Sequence, residues 1–305
     1  AHGAEVVSYF RWRQAPFGQE QMHAGLNLPG LHELSQGGRE AGQAAKELKS
    51  LGALPVLGRA QVAIVYDYQS SWMTRIQPQG ADFRYAELAF RWYEAVRRLG
   101  LDVDFVRPGA SLRGYRLVLV PTLLHVDEAA ENSFASANGI VLFGPRTGSK
   151  PRHHAIPPDL PPGPLASAMK LRVLEVSSLR PGLTTKVDGA VAGKGERWRE
   201  VVESLGADVL ATFDDGSPCL TADGTRHYLA CWPDHALLSS VMAMLSTKAG
   251  LETIDLSECV RLRRRGDLLF AFNYGNRPWS APANLVPLLG SKRVRPQDLA
   301  IFRQA

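Results

Sequence analysis

The 305 residues are 45% apolar and 21% charged, an ordinary globular balance that excludes a disordered or fibrous chain and leaves room for about two domains. No run approaches the roughly 20 apolar residues of a membrane helix, and the opening AHGAEVVSYF has no signal-peptide pattern, so a cytoplasmic protein with no membrane partner is expected. The charge of +5 and pI near 9.2 raise nucleic acid as a partner. The arginines are dispersed, however, and the one dense run, RLRRRGD at 261–267, lies between two strand-like segments. It reads as a hairpin turn and solvated strand edge, with no nucleic-acid partner.

In chain order, AEVVSYFRW at 4–12 has the β-branched and aromatic density of a buried strand. A loop runs to about residue 33, and GGREAGQAAKELKSLG then shows Ala41, Ala44, Ala45 and Leu48 at helical spacing, ending at Gly52. One strand, loop and helix cannot form a sheet alone. From Gln61 strands and helices alternate: QVAIVYDY, a helix DFRYAELAFRWYEAVRRLG capped by Asp82 and closed by Gly100, LDVDFV, YRLVLVPT, a helix DEAAENSFASANG, and GIVLFGP. Short parallel strands with helical crossovers predict a doubly wound, flavodoxin-like sheet.

KPRHHAIPPDLPPGPL at 150–165 has six prolines and no apolar period, and reads as an extended surface crossing. The sheet then resumes with LRVLEVSSL, ADVLATF and a hairpin PCLTADGTRHYLACW turning at Asp223-Gly224, followed by a helix PDHALLSSVMAMLSTKAG. Residues from about 256 alternate as short strands and predict a small antiparallel β module. The reading is therefore α/β in three segments: 1–55, 56–255 and 256–305.

Cys219, Cys231 and Cys259 show no C-x-x-C spacing and read as buried free thiols. GPRTGSK at 144–150 mimics a phosphate loop, but its spacing is one residue short, Ser precedes Lys, and no helix follows. QSSWMTRIQPQG, taken as the loop after the first strand of the sheet, lacks the close glycines that cradle phosphate. No flavin or other cofactor is expected. No nucleophile elbow is present for a hydrolase or amidotransferase of this fold, and His125, His153 and His154 read as loop histidines without a third metal ligand.

Phe10, Trp12, Phe17, Glu20 and His23 bring aromatic faces, a carboxylate and an imidazole into a short span, the groups that hold a sugar ring. Two readings stay open on composition: a carbohydrate site, or core aromatics beside a solvated Glu20.

FRWRQAPFGQEQMH with its following helix resembles the end of the catalytic barrel of family 42 glycoside hydrolases, the bacterial β-galactosidases. AIVYDYQSSWMTRIQPQ, DFRYAELAFRWYEAVRRLGLDVDFVRP, RLVLVPTLLHV, LFGPRTGSK and YLACWPD are similar to that family's trimerisation domain, and LLFAFNYG to the opening of its C-terminal β domain. The family's Gly-rich turn is replaced here by the shorter TADGTRH. The resemblance implies the last β/α unit of a (β/α)8 barrel, a trimer-forming domain and a terminal β domain of a retaining β-galactosidase that acts on β-galactosides as a homotrimer. It implies that both catalytic glutamates lie on earlier barrel strands, so neither Glu5 nor Glu20 is one of them, and that this chain alone is inactive. Glu20 and His23 would then contact galactose hydroxyls, with Phe10 and Trp12 lining the same mouth. The alternative is a non-catalytic oligomerisation module.

Overall fold

The structure is a computed structural model and describes residues 2–304. The chain gathers into two compact units, Arg59–Glu258 and a second made of residues up to Gly58 together with Cys259 onward. The sequence places the two ends in separate segments, whereas the structure joins them. In the second unit Leu51 and Leu54 pack against Leu268, Phe270 and Ile301, so the ends share an apolar cluster.

The expected strand at 4–12 is absent. Val6, Val7, Tyr9, Phe10 and Trp12 are exposed, and among the described residues no strand lies beside them. β-rich composition alone does not make a strand, because its backbone groups need a neighbour to bond. Helix α1, Gln36–Ser50, does form, with Ser35 Oγ accepting from the Gly38 amide at 3.1 Å. Gly38 is its sole buried residue among those described, so the Ala41, Ala44, Ala45 and Leu48 stripe is not covered.

In the first unit β1 (Val62–Val65) leads into α2 (Tyr68–Ile76), α3 (Tyr85–Arg98) and β2 (Val103–Val106). Then come β3 (Leu117–Val120), α4 (Glu128–Ala135) and β4 (Ile140–Phe143). The segment expected to be a loop after β1 is α2, because Asp67 accepts from the amides of Gln69 and Ser70 and starts a helix there. Asp82 does not cap α3. Arg84 holds that position without a side-chain bond, and the Asp82 carboxylate is drawn to Arg197 at 3.6 Å. The apolar runs VAIV, LVLV and IVLF are fully buried, as strands covered on both faces must be.

The short α5 (Ala166–Met169) precedes β5 (Leu171–Ser178), β6 (Thr184–Gly189), β7 (Gly193–Ser204) and β8 (Asp208–Phe213). β9 (Pro218–Asp223), β10 (Arg226–Leu229), β11 (Cys231–Pro233) and α6 (His235–Lys248) complete the unit. One sheet runs β11-β7-β6-β8-β9-β10-β4-β3-β1-β2, with β5 also on β7. Only the half β10-β4-β3-β1-β2 is parallel. The remainder is antiparallel, and β6 and β7 have no counterpart in the sequence reading. β9 and β10 form the predicted hairpin, with Gly224 in the left-handed region at φ 56°.

In the other unit β12 (Val260–Arg265), β13 (Leu268–Asn273), β14 (Trp279–Ser280), β15 (Leu285–Leu289), β16 (Arg293–Val294) and β17 (Asp298–Gln304) are antiparallel. The arginine run is the β12 strand, turning at Gly266. Cys219 and Cys231 are buried, but Cys259 is exposed, because it sits in the turn before β12 rather than in a strand.

Candidate functional site

The loop between residues 9 and 35 is built by backbone bonds that fold it onto itself. The amides of Leu26 and Asn27 donate to the carbonyls of Arg11 and Trp12 at 2.8 and 2.9 Å, and the Asn27 side chain also reaches the Trp12 carbonyl. Gly25 is required at this crossing: a Cβ there would lie 2.5 Å from the Arg13 α-carbon. A 3-10 turn, Gln19–Met22, presents Glu20, and the His23 amide closes it on the Glu20 carbonyl at 3.1 Å.

Three of the four predicted residues are brought together. The Phe10 and His23 rings meet edge to face with centroids 6.2 Å apart. Glu20 is tied to them through Arg11, whose guanidinium lies 4.0 Å from the Glu20 carboxylate and 5.8 Å from the centre of the Phe10 ring. Trp12 is exposed and shares none of these contacts. Sequence reasoning missed Arg11; a cation between two aromatics in FRWR was the available signal. The core reading of Trp12 and Phe17 does not hold, since both rings are open to solvent.

Beside this group lies a depression of about 550 Å³ lined by Tyr9, Phe10, Arg11, Leu26, Ser35 and Glu40 among others. Such a rim of aromatic faces and one ion pair can hold a polyol by stacking and hydrogen bonding. Among the described residues the ion-pair partner of Glu20 is the Arg11 guanidinium, at 4.0 Å. Among the described residues no group of three or more His, Cys, Asp and Glu is placed to hold a metal ion. Among them, too, no helix is long and apolar enough to cross a membrane.

Comparison with known proteins assigns the chain. The family model described as β-galactosidase trimerisation domain matches residues 60–252, and the one described as β-galactosidase matches residues 1–51. The chain belongs to the family 42 glycoside hydrolases, the β-galactosidases. It is 51% identical over 309 residues to the β-galactosidase of Thermus thermophilus, covering 100% of this chain and 47% of that protein. It is 52% identical over 308 residues to β-galactosidase BgaA of Thermus sp, with the same coverage. Among solved structures it is similar to the β-galactosidase of the psychrophilic Marinomonas ef1 at a TM-score of 0.95 and 40% identity, covering 100% of this chain and 48% of that one. The chain spans about half the length of the curated relatives it matches.

Proposed function

We propose that the chain carries the C-terminal half of a retaining, cytoplasmic β-galactosidase: the last unit of the catalytic barrel to about residue 55, a flavodoxin-like trimerisation domain to about 255, and a terminal β domain. What supports this is the two family matches in order along one chain that spans half of its relatives. The parallel strand order β2-β1-β3-β4-β10 is in keeping with the flavodoxin type. In this reading Glu20 and His23 accept and donate hydrogen bonds to galactose hydroxyls, Phe10 and Trp12 offer apolar ring faces, and Arg11 holds Glu20 in place. The nucleophile and the acid/base belong to the half of the relatives' length that this chain does not span. A retaining pair must stand about 5 Å apart to form and hydrolyse the galactosyl-enzyme.

The purified 305-residue chain is therefore expected to show no turnover of a chromogenic β-galactoside. In a polypeptide extended to the length of the Thermus relatives, Glu20→Gln is expected to lower kcat/KM about 100-fold, since a sugar hydroxyl loses a charged partner. Turnover by the 305-residue chain itself that Glu20→Gln abolishes would falsify the assignment. Sedimentation of the extended polypeptide is expected to give a trimer, and a monomer would count against that part.

A further inference from the structure

The turn that joins α4 to β4 reads Ala137-Asn138-Gly139. Of the six asparagines in the chain, Asn138 alone is followed by glycine. The structure separates it from the others as well. Asn27 is buried and its side chain bonds the Trp12 carbonyl, Asn132 lies inside α4, and Asn273 Nδ2 donates to the carbonyls of Arg277, Val294 and Arg295. Asn276 and Asn284 are exposed, but each precedes a residue with a large side chain, Arg277 and Leu285. Asn138 is exposed, and neither its side chain nor the Gly139 amide has a hydrogen bond among the described residues. Glycine, having no Cβ, lets another atom come close to its backbone nitrogen.

The surroundings of this turn are cationic. Arg226 Nη2 donates to the Phe134 and Ala137 carbonyls at 2.8 and 3.1 Å, and its Nη1 to the Gly139 carbonyl at 3.4 Å. A depression of about 380 Å³ is lined by Asn138, Gly139, Arg116, Thr225 and Lys248 among others, with no carboxylate among the described residues of its lining. Positive charge on this side favours any group there that gains a negative one. Past the turn there is no slack. A Cβ on Gly139 would lie 2.3 Å from the Tyr115 carbonyl oxygen and 2.6 Å from that of Arg116, and the Ile140 amide donates to the Arg116 carbonyl at 3.0 Å.

We infer that Asn138 is a site of spontaneous deamidation, with water as the co-reactant. The exposed side chain swings onto the Gly139 nitrogen, the N–Cγ bond forms, the Cγ–Nδ2 bond breaks, and Nδ2 leaves as ammonia with the amide proton. Water then opens the five-membered imide. Attack at Cγ gives aspartate, and attack at the main-chain carbonyl gives isoaspartate, in which the backbone runs through Cβ and Cγ. No oxidant or reductant is involved. Either product puts one negative charge beside Arg116, Lys248 and Arg226. Aspartate keeps the backbone length, whereas isoaspartate lengthens it at the entry to β4, where Gly139 is wedged against two carbonyls and β4 is held between β3 and β10. The inference is independent of the galactoside reading, and its residues lie outside the Glu20 rim.

The test ages the full chain at mildly alkaline pH, folded and in urea, and follows each asparagine by peptide mass mapping, where deamidation adds about 1 Da. Asn138 is expected to convert at least about tenfold faster than Asn276 and Asn284, and in the folded chain within about tenfold of its rate in urea. A methyltransferase that modifies isoaspartyl carboxylates is expected to label the peptide that contains residue 138. Asn138→Gln is expected to abolish conversion at this position and with it most of the acidic band that the aged parent gains on isoelectric focusing. The isoaspartyl form is expected to unfold at a lower temperature than Asn138→Asp, which is expected to match the parent. Conversion no faster than at Asn276 and Asn284, or more than about a hundredfold slower in the folded chain than in urea, would overturn the inference, since the fold would then shield the turn. Absence of methyl labelling at this peptide would do the same, because the imide opens both ways. Equal unfolding temperatures for the isoaspartyl and aspartyl forms would overturn the claim that β4 registers the change.

Discussion

Glu200→Ala is expected to lower the unfolding free energy by about 3–5 kcal/mol, a large share of the 5–15 kcal/mol typical of a domain. Glu200 is 1% exposed on β7 and joins three elements. Its carboxylate accepts from the Arg146 amide at 2.8 Å, from Trp198 Nε1 at 3.2 Å and from the Tyr228 hydroxyl at 2.6 Å. Alanine strands all three donors and removes the carboxylate charge that favours the Arg146 guanidinium. Burial pushes the Glu200 carboxyl above its ordinary range, against the hydrogen bonds that favour its charged form. Glu200→Gln keeps an acceptor for the two N–H donors, and the tyrosine hydroxyl can accept from its amide, so a smaller loss of about 1–2 kcal/mol is expected. Urea titration of the three proteins checks this; equal losses in Ala and Gln variants would show that charge, not hydrogen bonding, is what β7 needs at this position.

Acid is expected to destabilise the chain through His227. The imidazole is fully buried on β10, with the Lys248 ammonium 3.3 Å from Nε2. Burial, and then Lys248, push its pKa from 6.5 down to about 4. The native state thus keeps the ring neutral where the unfolded chain protonates it. Between 6.5 and about 4 the unfolded state binds more protons, so stability rises with pH across that window. The contribution is present above 6.5, lost as pH falls towards 4, and amounts to about 3 kcal/mol. Glu200 works in the opposite sense: with its pKa raised, the native state binds the extra proton, and its contribution fades as pH rises. The comparison is therefore best made against His227→Gln, which retains Glu200. The variant is expected to lose less stability than the parent between pH 7 and the lower end of the window; parallel losses would refute the role of the imidazole.

The parallel half of the large sheet was legible because VAIV, LVLV and IVLF are short unbroken apolar runs, each bounded by turn or helix signals. β7 was not legible for the reason it is important. Its inward positions are Trp198, Glu200 and Val202, and a carboxylate in the middle of the alternation hides the period. Arg197 adds to this: it sits with φ 60° where the β7 to β11 register shifts, so the count of residues is broken at the same place. At the rim, residue chemistry singled out Phe10, Glu20 and His23, which the fold does gather, but not Arg11, whose role depends on the loop folding back at Gly25. AEVVSYFRW misled because strand propensity measures how well side chains suit a pleated surface, and says nothing about whether a neighbour is there to pair with.

That stretch has a further consequence for how the polypeptide behaves in a tube. Val6, Val7, Tyr9 and Phe10 are exposed with no strand paired to them among the described residues, and Trp12 and Phe17 lie open close behind. Such a segment is a template for pairing with an identical segment of another molecule. At high concentration the 305-residue chain is expected to self-associate through this exposed segment, independently of residues 60–252.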